Sequence, residues 1–476
     1  MITFTICLLV LIIGYFVYGR FVEKVFGADD RPTPAITKAD GVDFIPMPAW
    51  KLFMIQFLNI AGLGPIFGAI MGAKFGTASF LWIVLGSIFA GATHDYIAGM
   101  LSLRNSGENL PDIIGRYLGK NAKLIMRIFT IVLMVLVGAV FVAGPAGLIA
   151  NLTPSALNTT FWMIVIFLYY LLATLLPIDK IIGRVYPIFA AALLFMAIGV
   201  LVMLYVNMPV LPEIWDGLKN THPNAEKLPI FPIMFVSIAC GAISGFHATQ
   251  SPLMARCMKK EKYGRPVFYG AMIVEGIVAL VWAAAATYFF QKNGMGESNA
   301  AVIVNDITNS WLGTIGGILA ILGVIAAPIT SGDTALRSAR LIIADFFNIE
   351  QKSIKKRLLI CVPMFACTFL LLLYSLRDAA GFDLIWRYFS WANQTLSVFT
   401  LWAITVFLVR ERKGLYFIIT LIPALFMTAI CASYICVAPE GFGILPDFSL
   451  VIASVVAVIS IVLFSIWYTK AKRNKV

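Results

Sequence analysis

Charge is what this sequence lacks most. Only 13% of its 476 residues are Asp, Glu, Lys or Arg, 60% are hydrophobic, and the mean hydropathy is +0.90. No soluble domain of this length is so apolar, so the chain reads as a polytopic membrane protein. The loops between its apolar runs are too short to hold a soluble domain, which argues against a sensor. With three histidines in all, no HExxH and no GxSxG, a membrane enzyme would lack both a metal site and an activated nucleophile. An ATP-driven pump would need a phosphate-binding loop, also missing. Seven cysteines lie mostly within apolar runs without paired spacing, so they read as small apolar residues, and neither a metal nor a cofactor is expected. The net charge of +12 comes from Lys and Arg in short loops, which describes topology rather than a nucleic-acid partner. The first run starts without a basic segment before it or a small-residue cleavage site, as expected of a retained helix.

What is present is apolar length. Windows of about 18 to 25 residues fall at 2–22, 50–73, 77–101, 124–149, 160–177, 186–207, 230–256, 267–290, 311–330, 357–376, 384–409, 415–437 and 448–468, thirteen in all. Lys and Arg collect in alternate loops, at 20–51, 104–123, 180–184, 256–265, 337–357, 410–413 and 470–475, and are few or absent in the others. Thirteen spans with the N-terminus outside and the C-terminus in the cytosol satisfy that alternation throughout.

Two windows are interrupted. The second contains "NIAGLGPIFGAI" from Asn59, with Gly62, Gly64 and Pro65; the seventh contains "IACGAISGFHATQSP" from Ile238, with Gly241 and Gly245. The breaks fall near mid-span and five spans apart, so the two segments enter the membrane from opposite sides, the pattern of an inverted repeat with two discontinuous helices. Unwound backbone at that depth is tolerated only where it lines a cavity or is buried in protein. The expected substrate cradle is therefore 62–67 with 241–247, with Asn59, Ser244, Gln250 and His247 as side-chain partners. Half-helix N-termini favour a carboxylate, so a small anion or zwitterion fits best.

Ionisable groups inside the spans are few and by default functional. His94 and Asp95 are neighbours in sequence and are not expected to share a helix face, one serving the site and the other an interface. Glu275, in "YGAMIVE", has no ionic neighbour in sequence; burial favours its neutral form, so it is expected to exchange a proton near neutral pH, or else to bond another helix as a carboxylic acid. Asp333 and Arg337 form an i, i+4 pair with Arg340 close by, at a cytosolic helix end, and a simple edge salt bridge is the alternative. Thr330 and Ser331 offer paired hydroxyls for Na+ against carbonyls of the first broken helix, which keeps sodium open beside the proton as coupling ion. Asn393 and Gln394, in "WANQTLS", contact ligand or bridge helices.

Together these stretches resemble the carbon starvation A family. The matching segments are "DGVDFIPMPAWKLF" with "IAGLGPIFG" from Asp40, "GATHD" from Gly91, "ACGAISGFHA", "YGAMIVE", "GDTALRSAR" from Gly332 and "ANQTLSVFTLW" from Ala392, in family order across most of the chain. Where the family usually carries histidines ahead of the first break, this chain has Gln56 and Phe57. The resemblance implies an all-α, LeuT-like fold of the amino acid/polyamine/organocation superfamily, with a five-plus-five inverted repeat. The expected division is an extra N-terminal helix and loop at 1–49, the first repeat at 50–207, a loop at 208–229, the second repeat at 230–409 and two C-terminal helices at 410–476. It also implies a secondary transporter in a bacterial inner membrane, importing pyruvate, short peptides or amino acids during carbon starvation. Proton symport is the expectation, and sodium symport the alternative.

Overall fold

The computed structural model describes the chain except residues 151, 176–181, 296–299, 352, 376–378, 412 and 474–476, and except the side chains of 175, 182–183, 301, 314–321 and 379–383. Of the basic loops, Lys180 in 180–184, Arg412 in 410–413 and Lys475 in the tail lie outside the described residues.

Among the described residues every apolar window falls mainly on helix and no strand occurs; residues 176–177 and 376, at the ends of two windows, lie outside them. Among the described residues ten helices are long and apolar enough to cross a membrane: α1 (Ile2–Phe26), α4 (Ala78–Arg104), α5 (Lys120–Ala150), α7 (Arg184–Asn207), the interrupted Ile230–Ala255, α10 (Glu261–Asn293), α12 (Ile354–Ser375), α13 (Leu384–Arg410), α14 (Gly414–Val437) and α15 (Pro446–Arg473). An eleventh span is the pair α2 (Ala49–Ile60) and α3 (Gly64–Ala73), bent by 56°. The other two windows lie on α6 (Thr159–Leu175), 17 residues long, and on α11 (Ala300–Phe347), which is two helices joined at Gly313 with φ +64°.

The interrupted span consists of α8 (Phe235–Ile238), preceded by a wound turn Ile230–Met234, and α9 (Gly245–Ala255). Both breaks expected from sequence are thus real interruptions of helical geometry. Ala239 sits at φ +36°, a strained value for a residue with a Cβ, of the kind that persists only where surrounding packing imposes it.

Burial sorts the helices into a centre and a rim. α10 is 89% buried along its apolar window and α4 83%, whereas α15 is 17% buried and α1 33%. The half-helices α3 and α8 approach closely because Gly64, Gly68 and Gly72 present a side-chain-free stripe at four-residue spacing, Gly68 against backbone and Gly64 and Gly72 against side chains. A Cβ on Gly68 would lie 2.8 Å from the Ser237 carbonyl oxygen, and Cβ atoms on Gly64 and Gly72 would overlap Cys240 and Ile238. Small residues at this spacing let membrane helices approach until van der Waals contact between backbones holds them.

The 208–229 segment is irregular and pinned at both ends. Glu213 accepts the N–H groups of Ile2 at 2.9 Å and Thr3 at 2.6 Å at the start of α1, while Thr221 donates its hydroxyl to the Lys74 carbonyl at 2.7 Å.

Candidate substrate and ion-coupling site

At the two breaks, four ionisable side chains from three helices form one chain of contacts. His94 Nδ1 lies 2.7 Å from Asp95 Oδ1, His247 Nδ1 lies 2.8 Å from Asp95 Oδ2, and His247 Nε2 lies 3.4 Å from Glu275 Oε2. All four are fully buried. Asp95 is therefore a hub. The expectation that His94 and Asp95 would part company fails, because the imidazole of His94 folds back along its own helix onto the neighbouring carboxylate. Glu275, solitary in sequence, gains His247 as its neighbour in space. Neither of its oxygens makes a hydrogen bond among the described residues, so the alternative of a carboxylic acid bridging two helices is not what is found.

The pairing sets proton positions. With Asp95 ionised and both rings neutral, each histidine presents Nδ1–H to the carboxylate and carries its lone pair on Nε2. On His247 that lone pair faces the Glu275 carboxyl; on His94 it has no hydrogen-bond partner. A proton on Glu275 has an imidazole nitrogen 3.4 Å away.

The break between α8 and α9 is held from α13. Asn393 Oδ1 accepts from the Phe246 N–H at 2.7 Å and from the Ser244 hydroxyl at 3.0 Å, and Gln394 Nε2 donates to the Ile243 carbonyl at 2.9 Å. Both residues of the "NQ" pair thus touch the second break directly. Gly245 allows this approach, since a Cβ there would stand 2.5 Å from the Asn393 carbonyl oxygen. The Gly241 carbonyl accepts the Ser87 hydroxyl from α4 at 3.0 Å. At the first break, Gly62 lies against Phe141 and Ser331, and Pro65 opens the wound turn that begins at Gly64. Asn59 is fully buried with neither amide atom hydrogen-bonded among the described residues, and so is Gln56, one turn earlier. Gln250 donates to the Thr249 hydroxyl at 2.8 Å and leaves its Oε1 without a partner. Trp282, two turns along α10 from Glu275, likewise keeps its indole N–H unpaired. Buried polar atoms are nearly always paired in folded proteins, so this concentration marks where a polar ligand would be received.

The remaining coupling candidates divide. The Ser331 hydroxyl lies 2.9 Å from the Ala327 carbonyl of its own helix and 3.1 Å from the Leu58 carbonyl near the end of α2, whereas the Thr330 hydroxyl meets only Ala326 and Ala327 of its own helix among the described residues. Asp333 accepts the Tyr186 hydroxyl at 2.6 Å, and Arg337 donates to the Ala173 carbonyl at 2.7 Å. Both are fully buried, so an exposed edge salt bridge is not what they form. Arg340 is also fully buried. Its Nη2 lies 3.7 Å from Asp43 Oδ1, and none of its nitrogens is hydrogen-bonded among the described residues. Asp43 is carried by a loop that Asp40 Oδ1 shapes by accepting the N–H groups of Val42, Asp43 and Phe44.

On the side of α3 and α8, rings close over the breaks in series: Phe67 to Trp386 at 6.3 Å, Trp386 to Phe389 at 5.5 Å, Phe389 to Phe141 at 5.8 Å and Phe141 to Phe246 at 6.1 Å. On the side of α2 and α9, the Asp43 loop lies across the end of the bundle and the Met47 N–H bonds the Cys257 carbonyl at 2.9 Å. Among the described residues no group of histidine, cysteine and carboxylate ligands is arranged to hold a metal.

Comparison with known proteins agrees with this architecture. The family described as "Carbon starvation protein CstA" matches residues 1–156, 146–311 and 293–433. A protein named "Peptide transporter CstA" from Bacillus subtilis is 29% identical over 89% of this chain and 88% of its own length. "Pyruvate/proton symporter BtsT" from Escherichia coli is 28% identical over 58% of this chain and 48% of its own. An uncharacterised membrane protein of Haemophilus influenzae is 43% identical over 61% of this chain and 92% of its own. Among solved structures, MhsT in complex with L-phenylalanine superposes with a TM-score of 0.58 at 14% identity, covering 80% of this chain and 96% of that one. A manganese transporter of Eremococcus coleocola gives 0.57 at 12% identity over 92% and 99%. At such identities the likeness establishes the LeuT fold and nothing more. The chain is a multi-pass membrane transporter and not an enzyme.

Proposed function

Because the chain belongs to the carbon starvation protein CstA family, we propose that it is a secondary transporter importing a small carboxylate, pyruvate or a short peptide, by proton symport across a bacterial inner membrane under carbon starvation. The observation that carries the proton reading is the buried run His94, Asp95, His247, Glu275, which spans α4, α9 and α10 at the second break. A carboxyl and an imidazole Nε2 facing each other at 3.4 Å, with the imidazole oriented by a carboxylate behind it, form a site that takes up one proton and holds it away from lipid. The substrate reading draws on the two half-helix ends and on the printed names of the B. subtilis and E. coli relatives.

Alternating access then follows from the two closures. The aromatic series parts to admit substrate and proton together; the Asp43 loop leaves Arg340 to release them to the cytosol. The N-terminus is placed outside and the C-terminus in the cytosol by the charge alternation of the loops.

A second reading, sodium-coupled symport of an amino acid or peptide, rests on Ser331 and the Leu58 carbonyl, where a hydroxyl oxygen meets a helix C-terminal oxygen. Liposomes separate the two. Labelled pyruvate should enter when an inward proton gradient is imposed and stop when it is collapsed; uptake that ignores the proton gradient and follows sodium would install the second reading. A thermal-shift screen of carboxylates, amino acids and dipeptides identifies the ligand, since binding to the native state raises apparent stability.

A further inference from the structure

Two donors converge on a single oxygen at the start of α9. The Phe246 N–H and the Ser244 hydroxyl both point at Asn393 Oδ1, at 2.7 and 3.0 Å. α9 is eleven residues long, and its opening amides carry the positive end of its dipole. Paired donors at such a place suit a carboxylate oxygen, yet here they hold the neutral oxygen of an amide delivered from another helix. The same amide donates through Nδ2 to Cys240 Sγ at 3.3 Å, on the far side of the break. Elsewhere at the two interrupted spans, Asn59 on α2, Gln250 on α9 and Gln394 beside Asn393 on α13 keep buried amide oxygens without hydrogen-bond partners among the described residues.

We infer that Asn393 is an internal stand-in for the substrate's carboxylate: it fills the α9 cradle when no substrate is present, and substrate must displace it to bind. This deepens the proposed function and rests on its carboxylate reading. The geometry links displacement to opening. Trp386 and Phe389 precede Asn393 by seven and four residues on α13, so the three share one helix face. They are also the two α13 members of the aromatic series that closes the α3 side. A shift of α13 that parts the rings withdraws the amide from the cradle in the same movement, and the incoming carboxylate takes over both donors. Without substrate, the donors are best satisfied with α13 in place and the rings closed. The substrate's apparent affinity is therefore its intrinsic affinity scaled down by the fraction of molecules whose cradle is open.

The test compares pyruvate and glycylglycine binding to the purified full chain, as wild type, Asn393→Ala and Asn393→Asp, by ligand-induced thermal shift and titration. Removing the stand-in should tighten pyruvate binding about tenfold in Asn393→Ala, about 1.4 kcal/mol. Asn393→Asp, nearly isosteric, places a permanent carboxylate in the cradle and should weaken pyruvate binding tenfold or more. Weaker binding in Asn393→Ala would make Asn393 a direct ligand contact and overturn the inference. If that variant does not fold, Asn393→Asp decides alone, and an unchanged pyruvate Kd overturns it. Binding of neither probe to any form would remove the carboxylate reading itself, an outcome distinct from wild-type binding that falls in Asn393→Ala.

Discussion

Glu275→Gln separates coupling from transport. The substitution keeps the side chain's shape and removes its exchangeable proton. Glu275 makes no hydrogen bond among the described residues and is fully buried, so the amide breaks no network and relieves the burial of an ionisable group. The fold should survive. What changes is the partner of His247 Nε2, at 3.4 Å, which faces an amide in place of a carboxyl that can give up a proton. The size of the effect follows from the gradient. One pH unit across the membrane is worth about 1.4 kcal/mol per proton, or a factor of about ten in concentration. With the membrane potential clamped at zero, one proton carried per pyruvate lets wild-type proteoliposomes concentrate the label about tenfold for an inward gradient of one unit. The variant should equilibrate it to about onefold, while pyruvate-for-pyruvate exchange, which needs no net proton movement, stays within about threefold of wild type. Full concentrative uptake in Glu275→Gln would refute the assignment of Glu275 as proton carrier, and loss of exchange together with uptake would make it a substrate contact.

Gly68→Val puts a branched side chain against the Ser237 and Ile238 carbonyls, and overpacking of this kind costs about 1–3 kcal/mol; a melting temperature equal to wild type would mean that α3 and α8 are not locked there. Asp43→Asn leaves the buried Arg340 charge uncompensated, a loss of about 3–5 kcal/mol for the closed loop. The reporter is Cys257, whose thiol is buried beneath that loop at 3.7 Å from the Asp43 carbonyl oxygen. Maleimide labelling of Cys257 should rise in Asp43→Asn and fall back in the double variant Asp43→Leu with Arg340→Met. His222 stacks on Phe75 at 5.0 Å and accepts the Asn224 N–H on Nδ1 at 3.0 Å, which requires the neutral ring. Partial burial and the nearby Lys74 ammonium lower its pKa from the ordinary imidazole value. Protonation is therefore resisted in the docked loop; docking is fully favoured above about pH 6.5 and lost as the pH falls through the lower folded-state value. Limited proteolysis of the 208–229 segment should accelerate on acidification in wild type and stay flat in His222→Asn; equal acceleration in both would acquit the histidine.

The all-helical membrane fold and both breaks are legible because bilayer thickness and backbone hydrogen bonding act on local composition; of the thirteen windows, ten or eleven are helices long and apolar enough to cross a membrane among the described residues. Pairing between helices was not legible. His94 and Asp95 follow one another in sequence, and the 100° between neighbours on a helix suggested separate duties. An imidazole is long enough to turn back onto the adjacent carboxylate, and Asp95 has two oxygens to share. Asn393 was visible as a polar residue in an apolar span, but which end of which helix it met depends on how α13 leans against α9, a tertiary fact. Gly68 and Gly72 drew no notice because they follow the break; their spacing from Gly64 was the available signal. Gln56, Trp282 and the Asp43 partner of Arg340 needed coordinates, since an unpaired atom leaves no mark in composition.

The glycine seam between α3 and α8 has a practical corollary for measuring motion. Only the Cys240 and Ile238 side chains, seated against Gly64 and Gly72, stand between the two segments, and Gly68 lies directly on the Ser237 and Ile238 carbonyls, so the pair is a built-in ruler of fixed length. Spin labels or fluorophores on the lipid-facing sides of α3 and α8 should report one constant separation in every state of the cycle. Labels pairing either of them with α2, α9 or α13 will carry the movement, and the fixed pair supplies the calibration for reading it.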